Sequence, residues 1–321
     1  MNGMISETIA IITSVIVLGF FMAIGFVSVK SGYVKKEATS YLSHILTRIV
    51  FPIWIMSKLL SNEVTVEQLS DRLPLFIAGL LFTQTTMLLG ILITKLLKME
   101  DKQKYVFVAI TYTVNSIFMG VPVCQELFGD SGALSCTILA LGSNIITWTT
   151  GISYIFAGGR KVLGIQKEKG KLSINPIMAT YVICLILKIF GFSLPSLLQL
   201  PFTRLGNSLS YLAMIYLGMS LTNFKVKGLL KHKLIYLYLP LKLVLIPIAV
   251  NIIAKLTGLF TEEYLGVLTI VYATSPSISI TMFYKEYGLD YELGNSLTFI
   301  CVLLNIITIP FIYWLCGYIT V

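Results

Sequence analysis

Long stretches of the chain carry no charge. Residues 8–29, 73–94, 205–224 and 293–321 contain no Asp, Glu, Lys or Arg, and each has about the 20 residues a helix needs to cross ~30 Å of hydrocarbon. Backbone groups in lipid must be satisfied internally, which leaves helices or a closed barrel. Barrel strands alternate apolar and polar positions; these stretches do not. The pattern predicts ten helical spans, at about 7–29, 38–60, 73–97, 104–127, 131–157, 174–191, 201–223, 233–257, 263–286 and 291–318. Residues 1–7 lack the basic start of a secretory signal, so the first stretch reads as a retained span.

Composition agrees with the pattern: 56% of residues are hydrophobic and 12% charged, against roughly 45–50% and about 25% in soluble domains. So little charge excludes an ordinary soluble enzyme. The formal charge of +9, from 24 Lys+Arg against 15 Asp+Glu, is explained by position. Seventeen basic residues fall in the odd-to-even connections and five (Lys58, Arg72, Lys188, Arg204, Lys255) in the opposite ones. The positive-inside rule then places the former in the cytoplasm and both termini outside the cell membrane. No soluble basic face with aromatics is present, so no nucleic-acid partner is expected. The polar connection 158–173 divides the chain into halves, 1–157 and 174–321. Five cysteines sit in apolar stretches without metal-ligand spacing and read as free thiols.

The halves resemble each other. Ile110-Thr-Tyr112-Thr-Val-Asn115-Ser116 matches Ile270-Val-Tyr272-Ala-Thr-Ser275-Pro276 at an offset of 160, and Asn144-Ile-Ile-Thr147 recurs as Asn305-Ile-Ile-Thr308 at 161. Spans 4 and 9 run in opposite directions in the predicted topology, so the expected architecture is an inverted repeat. Both spans carry helix breakers: Gly120 and Pro122 in one, Ser275-Pro276-Ser277 in the other. Gly120 permits a turn with Pro122 restarting the helix; Ser275 suits an N-cap and Pro276 a first helical position. Two half-helix N-termini aimed at one point, near Val121 and Ser277, would attract an anion. The plainer reading is a pair of proline kinks satisfied by neighbouring helices.

Arg48 and Lys242 lie inside spans 2 and 8, about ten residues from the cytoplasmic end, where ionisable groups default to functional candidates. His44 shares a helix face with Arg48. No Asp or Glu occupies the middle of a span, which favours an anionic substrate over cation exchange. Asn115, Asn144 and Asn305 could donate to carboxylate oxygens, supply carbonyls to a cation together with Thr308, or bond between helices. Neither a Walker loop nor a nucleophile–base pair is present. No enzyme activity, cofactor or metal is expected.

At this point the chain resembles the auxin efflux carrier family, which includes PIN-type carriers and bacterial malate-permease-like proteins. Asn115-Ser-Ile-Phe-Met-Gly120-Val-Pro122 with Phe128-Gly129 is similar to the family's Asn-Thr-x-x-Met-Gly-x-Pro segment. Further likeness lies in Phe283-Tyr284-Lys285-Glu286-Tyr287, Thr308-Ile309-Pro310, Arg48 with Phe51-Pro52, and Leu217-Gly218-Met219. The resemblance implies an all-α membrane protein of ten spans in two inverted halves. Broken helices 4 and 9 would cross, as in sodium/proton antiporter and bile-acid symporter architectures. It further implies a scaffold of spans 1, 2, 6 and 7, elevator-type movement of the rest, a homodimer in the lipid bilayer, and a small organic anion as substrate. The long hydrophilic loop of plant members is absent, and Ile278-Ser279-Ile280 lacks their second proline. The expected function is a secondary carrier for a malate-like dicarboxylate or auxin-like carboxylate. The alternatives are a sodium- or proton-coupled symporter and a transporter-like sensor without net flux.

Overall fold

A computed structural model describes residues 2–61, 65–164, 176–222, 234–277, 280, 284 and 288–319. Among them every regular element is helical. Helix α1 covers Asn2–Lys30, α2 Ala38–Leu59, α3 Leu73–Leu96 and α4 Asp101–Tyr112. After a break, a wide π-type turn at Ser116–Gly120 leads into α5, Val121–Ile146; a second, Thr147–Gly151, leads into α6, Ile152–Leu163. A short helix, Val66–Ser70, precedes α3, and further along are α7 (Pro176–Ile189), α8 (Ser196–Asn207), α9 (Leu209–Leu221), α10 (Leu234–Thr257), α11 (Glu262–Ala273) and α12 (Tyr291–Ile319).

Five stretches among the described residues are long and apolar enough to cross a membrane: Ala38–Leu59, Val66–Leu96, Asp101–Leu163, Leu234–Thr257 and Tyr291–Gly317. The third is 63 residues long and turns sharply at Gly129, where φ is 62° and ψ −152°, a conformation open to glycine and little else. This falls between the expected spans 4 and 5. Span 7 emerges as two helices parted at Ser208. Span 5 continues to Leu163, into the expected connection. The rest of that connection (165–173), the first residues of span 6 and most of span 9 beyond Ser277 lie outside the described residues. Exposed apolar side chains such as Phe20, Leu81, Leu88, Leu245 and Ile307 give the molecule the surface that lipid requires. It is a multi-pass membrane protein.

Three wide turns are each followed at once by a proline: Leu46–Val50 by Pro52, Ser116–Gly120 by Pro122, and Leu241–Leu245 by Pro247. A proline ring clashes with the carbonyl four residues back and offers it no amide. One residue more per turn relieves that clash and keeps the helix running.

Glycines set two close helix pairs. A Cβ on Gly218 of α9 would overlap the Met22 carbonyl of α1, and one on Gly25 the Ile215 carbonyl of α9. Gly79 of α3 and Gly142 of α5 stand in the same reciprocal relation to Leu139 and Phe76. With apolar solvent on the outside, such backbone-to-backbone packing is what holds membrane helices together. Residues 105–112 of α4, 265–273 of α11 and 293–302 of α12 are enclosed; Tyr112, Tyr272, Phe107 and Asn305 are fully buried.

Candidate functional site

Two helices stop inside the protein and their ends meet. Helix α4 ends at Tyr112, and Thr113 is extended at φ −74° and ψ 144°. Helix α11 ends at Ala273, and Thr274 is extended at φ −66° and ψ 159°. Each threonine folds its hydroxyl back onto its own helix, Thr113 Oγ1 donating to Ala109 O (2.7 Å) and Thr274 Oγ1 to Val271 O (2.6 Å). The chain between the helices is then shared. Asn115 N donates to Ser275 O at 2.9 Å and lies 3.0 Å from Thr274 Oγ1, and the Asn115 amide nitrogen reaches Ser275 Oγ at 3.4 Å. From the third side, Asn305 of α12 accepts from Ser275 N (2.6 Å) and donates to Cys301 O (2.7 Å) in the amide orientation that satisfies both neighbours.

The carbonyl end of α4 is capped from α10. Tyr238 Oη donates to Ile110 O at 2.7 Å. One turn on, Lys242 Nζ donates to Thr113 O at 2.8 Å and to Thr111 O at 3.5 Å. Lys242 is 0% exposed. Its ammonium therefore faces backbone oxygens. At the amino end beyond the break, Met119 N and Gly120 N both bond Asn115 O. The amides of Ser116, Ile117 and Phe118 precede that first intrahelical bond and are the donors such a terminus presents.

The expected turn and restart in span 4 are displaced. Gly120 has ordinary right-handed helical angles, φ −61° and ψ −52°; the turn belongs to Thr113–Asn115, and the restart is at Ser116 rather than near Val121. The cause is tertiary: the bonds to Ser275 and Thr274 hold residue 115 out of helix, while the wide turn absorbs Pro122. Gly120 instead lies close to Cys136 and Val271, where a Cβ would come within 3.3 Å of each. Val121 and Pro122 are buried in the same region.

Span 9 leaves its helix at Thr274, beside the expected breakers. Ser275, Pro276 and Ser277 are not helical, so Pro276 is not the first residue of a restarted helix; Asn115 and Asn305 hold the Ser275 backbone instead. Ser275 and Pro276 are buried, Ser277 is half-buried, and the restart beyond it lies outside the described residues. Asn144 and Thr308 are also half-buried, and the buried Thr308 Oγ1 has no partner among the described residues. His44 and Arg48 are exposed on α2. The structure thus joins Asn115, Ser275, Asn305 and Lys242 in one cluster and leaves His44 and Arg48 without a bond to it. Sequence reading missed Thr113, Thr274 and Tyr238, which act through backbone contacts that no local pattern announces.

A second polar group lies where the end of α2 and the start of α3 meet Gly129. Lys58 Nζ binds Asp130 at 2.6 Å. Arg72 donates from Nε to Ser135 Oγ (3.1 Å) and from one terminal nitrogen to Ser131 Oγ (2.9 Å). Both serines in turn donate to Glu263 at 2.9–3.1 Å. Of these, Lys58, Arg72, Asp130 and Ser131 border a cavity of about 420 Å³ with Ser57, Ser61 and Gln199. The sequence placed Lys58 and Arg72 merely in connections. Asp130 and Glu263, the nearby acids, were the available signal.

A sequence model described as "Membrane transport protein" matches residues 10–313. An uncharacterized transporter of Methanocaldococcus jannaschii is 27% identical over 216 residues, covering 65% of this chain and 68% of that protein. A match running through both helix breaks and nearly end to end means that this chain belongs to the membrane transport protein family, the auxin efflux carrier-like group that its own motifs resemble.

Proposed function

We propose that the protein is a secondary carrier for a small organic anion, a malate-like dicarboxylate or auxin-like carboxylate, with its binding site at the meeting of the two helix breaks. The supporting observation is the contact of Asn115 with Ser275. Around it stand the amides of Ser116–Phe118 at a helix amino end, with polar side chains on both chains. That is the environment in which a carboxylate is stabilised. In this reading the chain makes ten spans in two inverted halves in the cell membrane, both termini outside, and works as a homodimer by elevator-type alternating access. Asn115 and Ser275 occupy equivalent positions of the repeat. Equivalent residues touch each other where a pseudo-two-fold axis passes, and that axis is where inverted-repeat carriers place their substrate.

The test is uptake of radiolabelled malate and of an aromatic monocarboxylate into proteoliposomes. Wild type carries one of them, and Asn115→Ala and Ser275→Ala raise KM by about 10-fold or more, the loss of roughly 1.4 kcal/mol of binding. Undiminished transport by both folded variants overturns the site. Binding of either acid without any flux returns the sensor reading.

A further inference from the structure

The break in α4 exposes a problem that the sequence alone does not state. A half-helix ending inside the protein presents carbonyls without amide partners and about half a negative charge. In carriers built on broken helices, such carbonyl ends coordinate a sodium ion or a proton. Here the position is filled by the chain itself. Lys242 Nζ lies 2.8 Å from Thr113 O and 3.5 Å from Thr111 O, Tyr238 covers Ile110 O, and Thr113 covers Ala109 O. Among the described residues no carboxylate pairs with Lys242, so the partial charge of the helix end is its counter-charge.

Among the described residues, the opposite break is handled without a cation. Val271 O takes both the amide and the hydroxyl of Thr274, and the neighbouring Tyr272 Oη lies 3.0 Å from Thr83 Oγ1 of α3. One half of the crossing thus carries a fixed positive charge, and its counterpart carries none among the described residues.

We infer that Lys242 is a tethered counter-cation, occupying the place a coupling sodium ion would take at the carbonyl end of α4. Two consequences follow: the native protein has no sodium site there, and removing the ammonium creates a vacancy for a small monovalent cation. The consequence for transport, substrate movement without sodium, rests on the carrier reading above. The cation site itself does not.

The experiment uses purified full-length protein in detergent, without substrate, at constant ionic strength in chloride salts of sodium, methylammonium or choline. Wild type unfolds at the same temperature in all three. Lys242→Ala falls by ~5 °C or more in choline and regains at least half of that, saturably, with methylammonium or sodium. Lys242→Gln, which keeps a donor of similar reach and loses only the charge, shows the same cation response with a smaller fall and serves where the alanine variant does not fold. Tyr238→Phe removes a capping hydrogen bond but no charge, so it loses stability without cation-specific recovery. Stabilisation of wild type by sodium over choline overturns the inference. So do lysine variants indifferent to every small cation, or equal recovery by Tyr238→Phe. Because no substrate is present, failure here leaves the transport reading standing, and failure of malate uptake leaves this one standing.

Discussion

Asn115 N lies 2.9 Å from Ser275 O, joining two positions 160 residues apart in the chain. The bond decides where α4 stops, because an amide held by another segment cannot continue its own helix. Asn305 completes the arrangement by accepting from Ser275 N. Replacing it with leucine, close in size but without an acceptor, leaves that buried donor unmet. Asn305→Leu is expected to lower stability by about 1–3 kcal/mol, seen as a lower thermal midpoint and a smaller monodisperse fraction on gel filtration.

Gly218 and Met22 predict an effect of the same size from a smaller change. A Cβ on Gly218 meets the Met22 backbone rather than a flexible side chain, so α1 and α9 have to separate along their length. Gly218→Ala is expected to cost about 1–3 kcal/mol through overpacking, and Gly218→Val more. A thermal midpoint within 1 °C of wild type (a change of well under about 0.5 kcal/mol) would sink this account of the helix pair.

The Lys58–Asp130 pair is lopsided: the side chains are 11% and 72% exposed. Removing the lysine leaves a carboxylate in solvent, whereas removing the carboxylate leaves a mostly enclosed ammonium without its partner. Asp130→Asn is therefore expected to destabilise more than Lys58→Met, contrary to what exposure alone suggests. Chemical denaturation of the two single variants and the double variant measures the difference.

Asp101 opens α4 and pairs with Lys104 of its own first turn and with Lys161 of α6 at 3.1 Å. Those hydrogen bonds, Lys104 foremost, hold its carboxyl below the ordinary value of 3.8. A depressed carboxylate stabilises the fold above its unfolded pKa, and that contribution is lost as pH falls through the folded one. The deficit of Asp101→Asn against wild type should thus be constant from about pH 5 to 8 and shrink only below the ordinary carboxylate value. Paired melting curves across that range check it.

Much of the fold was legible because membrane solvent imposes a coarse rule: uncharged runs become helices. The ends of α3, α10 and α12 fall within a residue or two of the expected spans. The prolines were legible as disturbances, but not their outcome. Pro52, Pro122 and Pro247 each follow a wide turn, so they modify helices without ending them. The true ends lie at Thr113 and Thr274, residues of no unusual local propensity, and are fixed by contacts between halves. For the same reason Lys242 was recognised as unusual from its depth, while its partners, two backbone oxygens, left no trace in composition. Arg48 carried the same signal and lies exposed, so charge within an apolar run marks a position worth inspecting and does not assign it a role.

The capping of α4 by residues of α10 also bears on how the protein is made. Thr113 and Asn115 leave the ribosome well before Lys242 and Ser275 are synthesised, and for that interval the Thr113 carbonyl lacks its ammonium and the Asn115 amide lacks the Ser275 carbonyl. The first half of the polypeptide therefore enters the membrane unfinished, with a bare polar end that only the arrival of the second half can close. Severed at the central connection and produced separately, it should be a ready target for membrane proteolysis, and its survival should depend on being made together with its missing half.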